Sequence, residues 1–357
     1  MDNITHTLSG LLIGAALPAE PGDLRALPLK ARAAFCAVVT NLPDLDLLFG
    51  GGSDPFLALN LHRGITHSFL MAPLWGASIG LLAYLALGRR HRPVELVLLA
   101  TAAFALHATL DLLTSYGTQV FAPISNQAHA LPLLFIFDPL LWALLGAGAV
   151  LMWLRSSVTV ARGALVAFTG YVALCGAFML RAEQLAMHEA DSRGLARSVL
   201  VFPQPLSPTH WKLVVVDDDR YHSAYANVLG LGPRAAPAKD ASRLVRVWNA
   251  YQPSDALKWT RREQYGADPM MRGFARFAFS REELAEFRRF ALLPHLYAVT
   301  NRGPDAGCGW FTDLRFEIKG VDNPFTVGMC HGPVAGKLSK SQGWSLETSD
   351  APPAPGR

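Results

Sequence analysis

Four apolar runs, at 65–88, 94–115, 133–154 and 163–180, crowd into the first half of this 357-residue chain. Each approaches the roughly 17–25 residues that a helix needs to cross the ~30 Å core of a bilayer, where backbone groups have only helices or closed barrels open to them. The whole chain is 51% hydrophobic and 17% charged, and no run of that length recurs beyond Arg181. The sequence therefore predicts an all-α multi-pass membrane domain over 1–181, a small α+β soluble domain over 182–350 and a disordered tail, "APPAPGR", over 351–357. Two shorter apolar stretches come first. That at 4–17 is too short for a straight crossing and reads as a half-helix or an interfacial helix, while 33–49 is marginal and ends in "NLPDLD". The first residues carry Asp2 and no Lys or Arg, so they read as part of the mature chain rather than as a signal peptide.

Loop charge sets the expected orientation. Arg25, Lys30 and Arg32, then Arg89, Arg90 and Arg92, then Arg155 and Arg162 fall in alternate connections, whereas the loops at 50–64 and 116–132 hold Arg63 alone. The positive-inside rule puts the first set in the cytoplasm and the polar C-terminal half outside it. A net charge of +4, dispersed along the chain, predicts no nucleic-acid partner.

Polar residues from separate segments then converge on one level. His107 and Asp111 lie four residues apart in an apolar run, about one helical turn, so they share a face. At 1.5 Å per residue they stand about 20 and 26 Å along that helix, near its outer end. Imidazole and carboxylate are the ligands of a divalent metal, zinc above all; the same pair also suits a plain hydrogen bond. An ionisable group at membrane depth costs about 2.5–3.5 kcal/mol, which favours function. Asp44 and Asp46 either reach a metal, one of them serving as general base, or cap a turn. In "LHRGITHS", Gly64 lets the backbone turn and Thr66 caps the next helix, leaving His62 and His67 as metal-ligand candidates or as interfacial side chains. Arg63 suits a substrate anion, phosphate or carboxylate. His6 and Asp138 fall at the same level, with a helix cap as the simpler reading of each neighbourhood. Past Asp111, "TSYGTQVFAP" brings Gly117 for a tight turn, with Thr114 and Thr118 as hydroxyls that either orient ligands or line an exit loop.

The ordered set "THTLSGLLIGAAL", "NLPDLD", "HRGITHS" and "HATLDLLTSYGTQVFAP" resembles the YdjM/YbcI-type family of bacterial inner-membrane metal-dependent hydrolases over roughly the first 140 residues. The run His, Asp, His, HxxxD is also similar to part of the ligand order of zinc-dependent phospholipase C enzymes, which cut phosphodiesters. The resemblance implies His6, Asp44 or Asp46, His67, His107 and Asp111 as ligands. No later HxxxE is present to complete a trinuclear cluster, so one or two divalent metals, zinc first, are expected. The implied activity is hydrolysis of a phosphoester on a membrane lipid or lipid-linked substrate at the outer face of the inner membrane. A transporter using intramembrane His and Asp as a relay, and a scaffold with a structural metal, are the alternatives.

In the polar half, "WKLVVVDDD", "RLVRVWNAY", "LPHLYAVTN" and "GWFTDLRFEI" read as strands, and "SREELAEFRRFALL" reads as a helix opened by a Ser280–Glu283 capping box. His210, His222, His295 and Asp217–Asp219 read as solvated surface. Cys36 and Cys175 read as packing residues, and an external location permits a Cys308–Cys330 disulfide.

Overall fold

In the computed structural model, residues 1–18, 23–48, 60–195, 198–205, 208–232, 240–303, 306–319, 321, 323, 325–333 and 342–348 are described; the tail at 351–357 lies outside them. The chain divides into two compact units, Met1–Met179 with Pro203–Pro208, and Leu180–Phe202 with Thr209–Arg357. The first is helical and the second is rich in sheet.

The helical unit is built from α1 (Asn3–Ala16), α2 (Leu29–Val39), α3 (Ala72–Ala86), α4 (Pro93–Leu112), α5 (Pro139–Arg155) and the start of α6 (Val158–Arg193). Among the described residues, α4 and α6 alone combine the length and hydropathy of a membrane crossing; α3 and α5 are apolar but shorter. The expected spans at 65–88 and 133–154 thus begin late. Residues Ile65–His67 form a 3-10 turn, and the Ser68 hydroxyl is drawn to the carbonyls of Val120 and Ala122 instead of continuing a helix. The amides of Leu133 and Leu134 both turn back to Leu113 O, so α5 waits for Asp138 and Pro139. Arg32, counted above as a loop charge, lies buried within α2, where it faces Glu95 at 3.6 Å and donates to Leu17 O.

Two pairs of glycines bring helices into close contact, as small residues do where helices associate in membranes. A Cβ on Gly10 would stand 2.6 Å from Thr40 Oγ1, 2.8 Å from Cys36 O and 2.9 Å from Ala37 Cα, and one on Gly14 would stand 2.5 Å from Arg32 O, so α1 and α2 touch backbone to backbone. Gly76 and Gly80 do the same for α3 against Thr101 and Val97 of α4. One apolar core gathers Leu12, Leu110, Leu141, Leu145 and Met152, and a second gathers Cys36, Val39, Leu96, Leu99 and Phe104.

The second unit holds two four-stranded sheets, each hydrogen-bonded in sequence order. The first comprises β1 (Ser198–Pro203), β2 (His210–Asp217), β3 (Arg220–Asn227) and β4 (Thr260–Glu263); the second comprises β5 (Pro294–Gly303), β6 (Ala306–Asp313), β7 (Thr326–Pro333) and β8 (Gln342–Thr348). Cys308 and Cys330 face each other directly across the β6–β7 ladder and form a disulfide. Three readings change here. "RLVRVWNAY" is not a strand: Ser242 accepts from Val245 N and opens a short helix, α7 (Arg243–Trp248), and the chain then buries Val247 and Tyr251, four residues apart. Ser280 ends a helix rather than opening one. Its hydroxyl donates to Phe277 O at the close of α8 (Pro269–Ser280), whose N-cap is Asp268, and the predicted helix shrinks to a 3-10 turn at Glu282–Leu284 and α9 (Ala285–Phe290). His210, His222 and His295 are buried; in β2 and β3 consecutive residues around His210 and His222 are buried too, so both faces of those strands are covered there.

Candidate metal centre

The site begins with where α1 starts. The Asp2 carboxylate accepts from Ile4 N and Thr5 N, each at 3.0 Å, which caps the helix. Trp142 Nε1 of α5 donates to Asp2 Oδ1 and Thr5 Oγ1 at 3.1 Å and ties that end down. His6 follows on the first turn, fully buried, with its ring stacked on His107 at 3.9 Å between centroids. His107 and Asp111 project from one face of α4, and neither is exposed. Because a carbonyl can only accept, the 2.6 Å contact from His107 Nδ1 to Thr40 O puts the ring proton on Nδ1 and turns the Nε2 lone pair toward Asp111.

Two irregular segments complete the cluster. The 3-10 turn Pro43–Leu48 presents Asp44 and Asp46, and the turn Ile65–His67 presents His67. The backbone reverses at Arg63 with φ 64°, so the left-handed residue is Arg63 rather than its glycine neighbour, a conformation that costs a non-glycine residue of order 1 kcal/mol or more. Gly117, at φ +95°, serves the turn expected of it, and a Cβ there would press on Ala128.

Four ligand atoms now face one point: Asp44 Oδ1, His67 Nε2, His107 Nε2 and Asp111 Oδ2. The spacings are 3.3 Å from His67 to Asp44, 3.5 Å from His67 to Asp111, 3.5 Å from His107 to Asp44 and 3.6 Å from His107 to Asp111. A tetrahedral ion with bonds of about 2.1 Å separates its ligands by about 3.4 Å. His107 Nε2 and Asp111 Oδ2 are buried without a hydrogen-bond partner, as are both ring nitrogens of His6. Such atoms are costly to bury, and a divalent cation at the common point would satisfy His107 Nε2 and add to the charge balance that Arg63 gives Asp111 Oδ2. The cluster can hold a metal ion through two imidazoles and two carboxylates.

The remaining candidates fall around this group. His6 Nε2 is 3.5 Å from the other Asp111 oxygen, Oδ1, which also accepts from the Met1 nitrogen. Arg63 is buried; its Nε is 3.2 Å from Asp111 Oδ2, its Nη1 donates to Thr114 Oγ1 at 3.0 Å and its guanidinium covers the Tyr116 ring. Thr114 in turn donates to Asp111 O at 2.8 Å, so it holds both Arg63 and the helix end. Thr118 is buried in a backbone bridge to His129, and its hydroxyl makes no hydrogen bond among the described residues. Asp138 caps α5 through Leu140 N and Leu141 N and accepts from the Tyr171 hydroxyl at 2.6 Å. His62, Asp44 and Asp46 form the more open side, each partly exposed. Burial works against the Asp44 carboxylate, but the His67 ring beside it and the nearby His107 carry its pKa down to about 2. Burial likewise opposes ionisation of Asp46, and hydrogen bonds from His62 and Thr66 hold it below the usual carboxylate range. Sequence reasoning missed Thr40, whose contribution is a backbone carbonyl and has no side-chain signal, and it placed Thr66 as a helix cap, whereas its hydroxyl goes to Asp46.

The helical unit thus combines two helices of membrane-crossing length with a buried His/Asp cluster able to hold a metal ion. Residues 1–182 match the family described as YdjM inner membrane protein, and the chain belongs to that family. Uncharacterized protein YfhP of Bacillus subtilis is 30% identical over 144 residues, a match that covers 40% of this chain and 43% of that relative, less than half of its length. No solved structure matches.

Proposed function

We propose that this chain is a multi-pass, metal-dependent hydrolase of the bacterial inner membrane, with the cluster near the outer face and the sheet-rich unit outside the cytoplasm. The observation that carries the reading is the set of four spacings, 3.3–3.6 Å, among Asp44, His67, His107 and Asp111. Those four residues would hold one ion, zinc by the ligand set, and the bound metal would supply an activated water near neutral pH and polarise the scissile bond. Arg63 balances the buried Asp111 charge and keeps Oδ2 aimed at the metal position. His62 and Asp46 line the more open edge, where a substrate group meets solvent and protons are exchanged. The loop-charge asymmetry supports the orientation, and depth together with the family supports a phosphoester of a lipid or lipid-linked substrate.

One observation favours a second reading. Four protein side chains on one ion would leave no position open at tetrahedral coordination, which is the pattern of structural zinc sites, whereas catalytic sites keep a position open. Metal analysis of detergent-purified protein, with a His107→Ala/Asp111→Ala variant as control, tests the common premise. About one ion per wild-type chain and loss in the variant are expected; wild-type protein without stoichiometric metal under non-chelating conditions refutes both readings. Cobalt-substituted protein then separates them, since inorganic phosphate perturbs the visible spectrum of an open site and leaves a closed one unchanged.

A further inference from the structure

Asp46 stands outside the four-atom group, and its contacts are of a different kind. Its Oδ1 lies 2.6 Å from His62 Nδ1 and its Oδ2 lies 2.5 Å from Thr66 Oγ1. These are hydrogen-bond lengths, well short of the about 3.4 Å between two ligands of one ion. Thr66 has a single hydroxyl proton, which it gives to Asp46, so its lone pair receives the Nδ1–H of His67 at 2.9 Å. The His67 ring nitrogen is itself 3.5 Å from Asp46 Oδ2. With Nδ1 protonated in both rings, the Nε2 lone pairs of His67 and His62 both face Asp44 Oδ1, at 3.3 and 3.8 Å.

We infer that Asp46 is a positioning residue: through Thr66 it sets the orientation and tautomer of His67, and directly those of His62, so that one carboxylate aims the His67 imidazole at the metal position and holds the His62 ring beside Asp44. The inference rests on the metal-binding reading above. It gives three of the histidines at the site different supports. His107 is held by a backbone carbonyl, His67 by a hydroxyl that Asp46 polarises, and His62 by Asp46 itself. Partners of this kind fix ring orientation and raise ligand basicity, and their loss weakens metal affinity about 10–100-fold.

The test compares full-length wild type, Asp46→Asn, Thr66→Val and Thr66→Ser in detergent, by chelator competition for Co2+ and by the visible spectrum of the Co2+ form. Thr66→Val keeps side-chain shape and cuts only the His67 branch. The expected result is one ion per chain throughout, affinity lowered about 10–100-fold in Asp46→Asn and about tenfold in Thr66→Val, with altered ligand-field bands, and recovery in Thr66→Ser. Metal-free unfolding midpoints of Thr66→Val and Thr66→Ser are expected to agree, which separates ring orientation from folding. Thr66→Val binding Co2+ as tightly as wild type, with an unchanged spectrum, overturns the inference. So does a fall from two ions to one in Asp46→Asn, which makes Asp46 a ligand of a second ion. Wild-type protein that binds no Co2+ refutes the metal-binding reading itself.

Discussion

Gly10→Ala is the smallest perturbation that links helix packing to the metal centre. The added methyl would meet Thr40 Oγ1 at 2.6 Å, Cys36 O at 2.8 Å and Ala37 Cα at 2.9 Å. Two of these atoms are backbone and cannot rotate away, so restoring contacts of about 3.4 Å or more requires α1 and α2 to part by roughly 0.5–0.8 Å, an overpacking that typically costs about 1–3 kcal/mol. The same displacement moves Thr40, whose carbonyl fixes His107 at 2.6 Å. Metal affinity should therefore fall about tenfold, at the lower end of the range for outer partners of a ligand. Denaturant unfolding in detergent and chelator competition read the two effects. Gly170→Ala is the control, because nothing lies within 4 Å of a Cβ there, and helix propensity makes it neutral or stabilising by up to about 1 kcal/mol. Gly10→Ala protein as stable as wild type and with unchanged affinity would refute the argument that this contact sets the His107 geometry.

Two further outcomes concern the sheet-rich unit. His295 is buried with Nδ1 unpartnered, and burial lowers its pKa from 6.5 to about 4; the unfolded chain thus binds more protons between those values, and about 3 kcal/mol of stability is lost as pH falls from 6.5 through 4. Hydrogen exchange of β5 against pH should show that slope, and His295→Leu should flatten it. Reducing the Cys308–Cys330 bridge, which closes a loop with a sequence separation of 22, should cost about 3 kcal/mol by the chain-entropy relation, read as a lower unfolding midpoint of the same strands under reductant; an unchanged midpoint would count against it.

Part of the cluster stood out in the sequence because polar residues are conspicuous in an apolar run. A histidine and an aspartate one turn apart in an apolar run have few reasons to be there, and His107 and Asp111 are indeed buried beside His67 and Asp44. Arg63 was harder to read, since a lone loop arginine suits an anion of any origin; the structure supplies that anion as Asp111 within the chain. Helix starts were also obscured, because hydropathy continues through 65–71 and 133–138 while the amides and hydroxyls there are bonded across to the 113–122 segment. The close approach at Gly10, Gly14, Gly76 and Gly80 was not anticipated from the sequence, because a small-residue spacing does not say which helix it will meet.

The sequence by itself determined the partition into a helical and a sheet-rich half, the residue types that meet in the cluster, and the shared face of His107 and Asp111, because hydrophobic period and helical rise are local properties. Only the tertiary structure decided which ring nitrogen faces the metal position, that Asp46 bonds to His62 and Thr66, that Arg63 serves Asp111 and that Cys308 meets Cys330. Each of these depends on a partner far away in the chain, and a hydrogen bond is set by tenths of an ångström that no local pattern encodes.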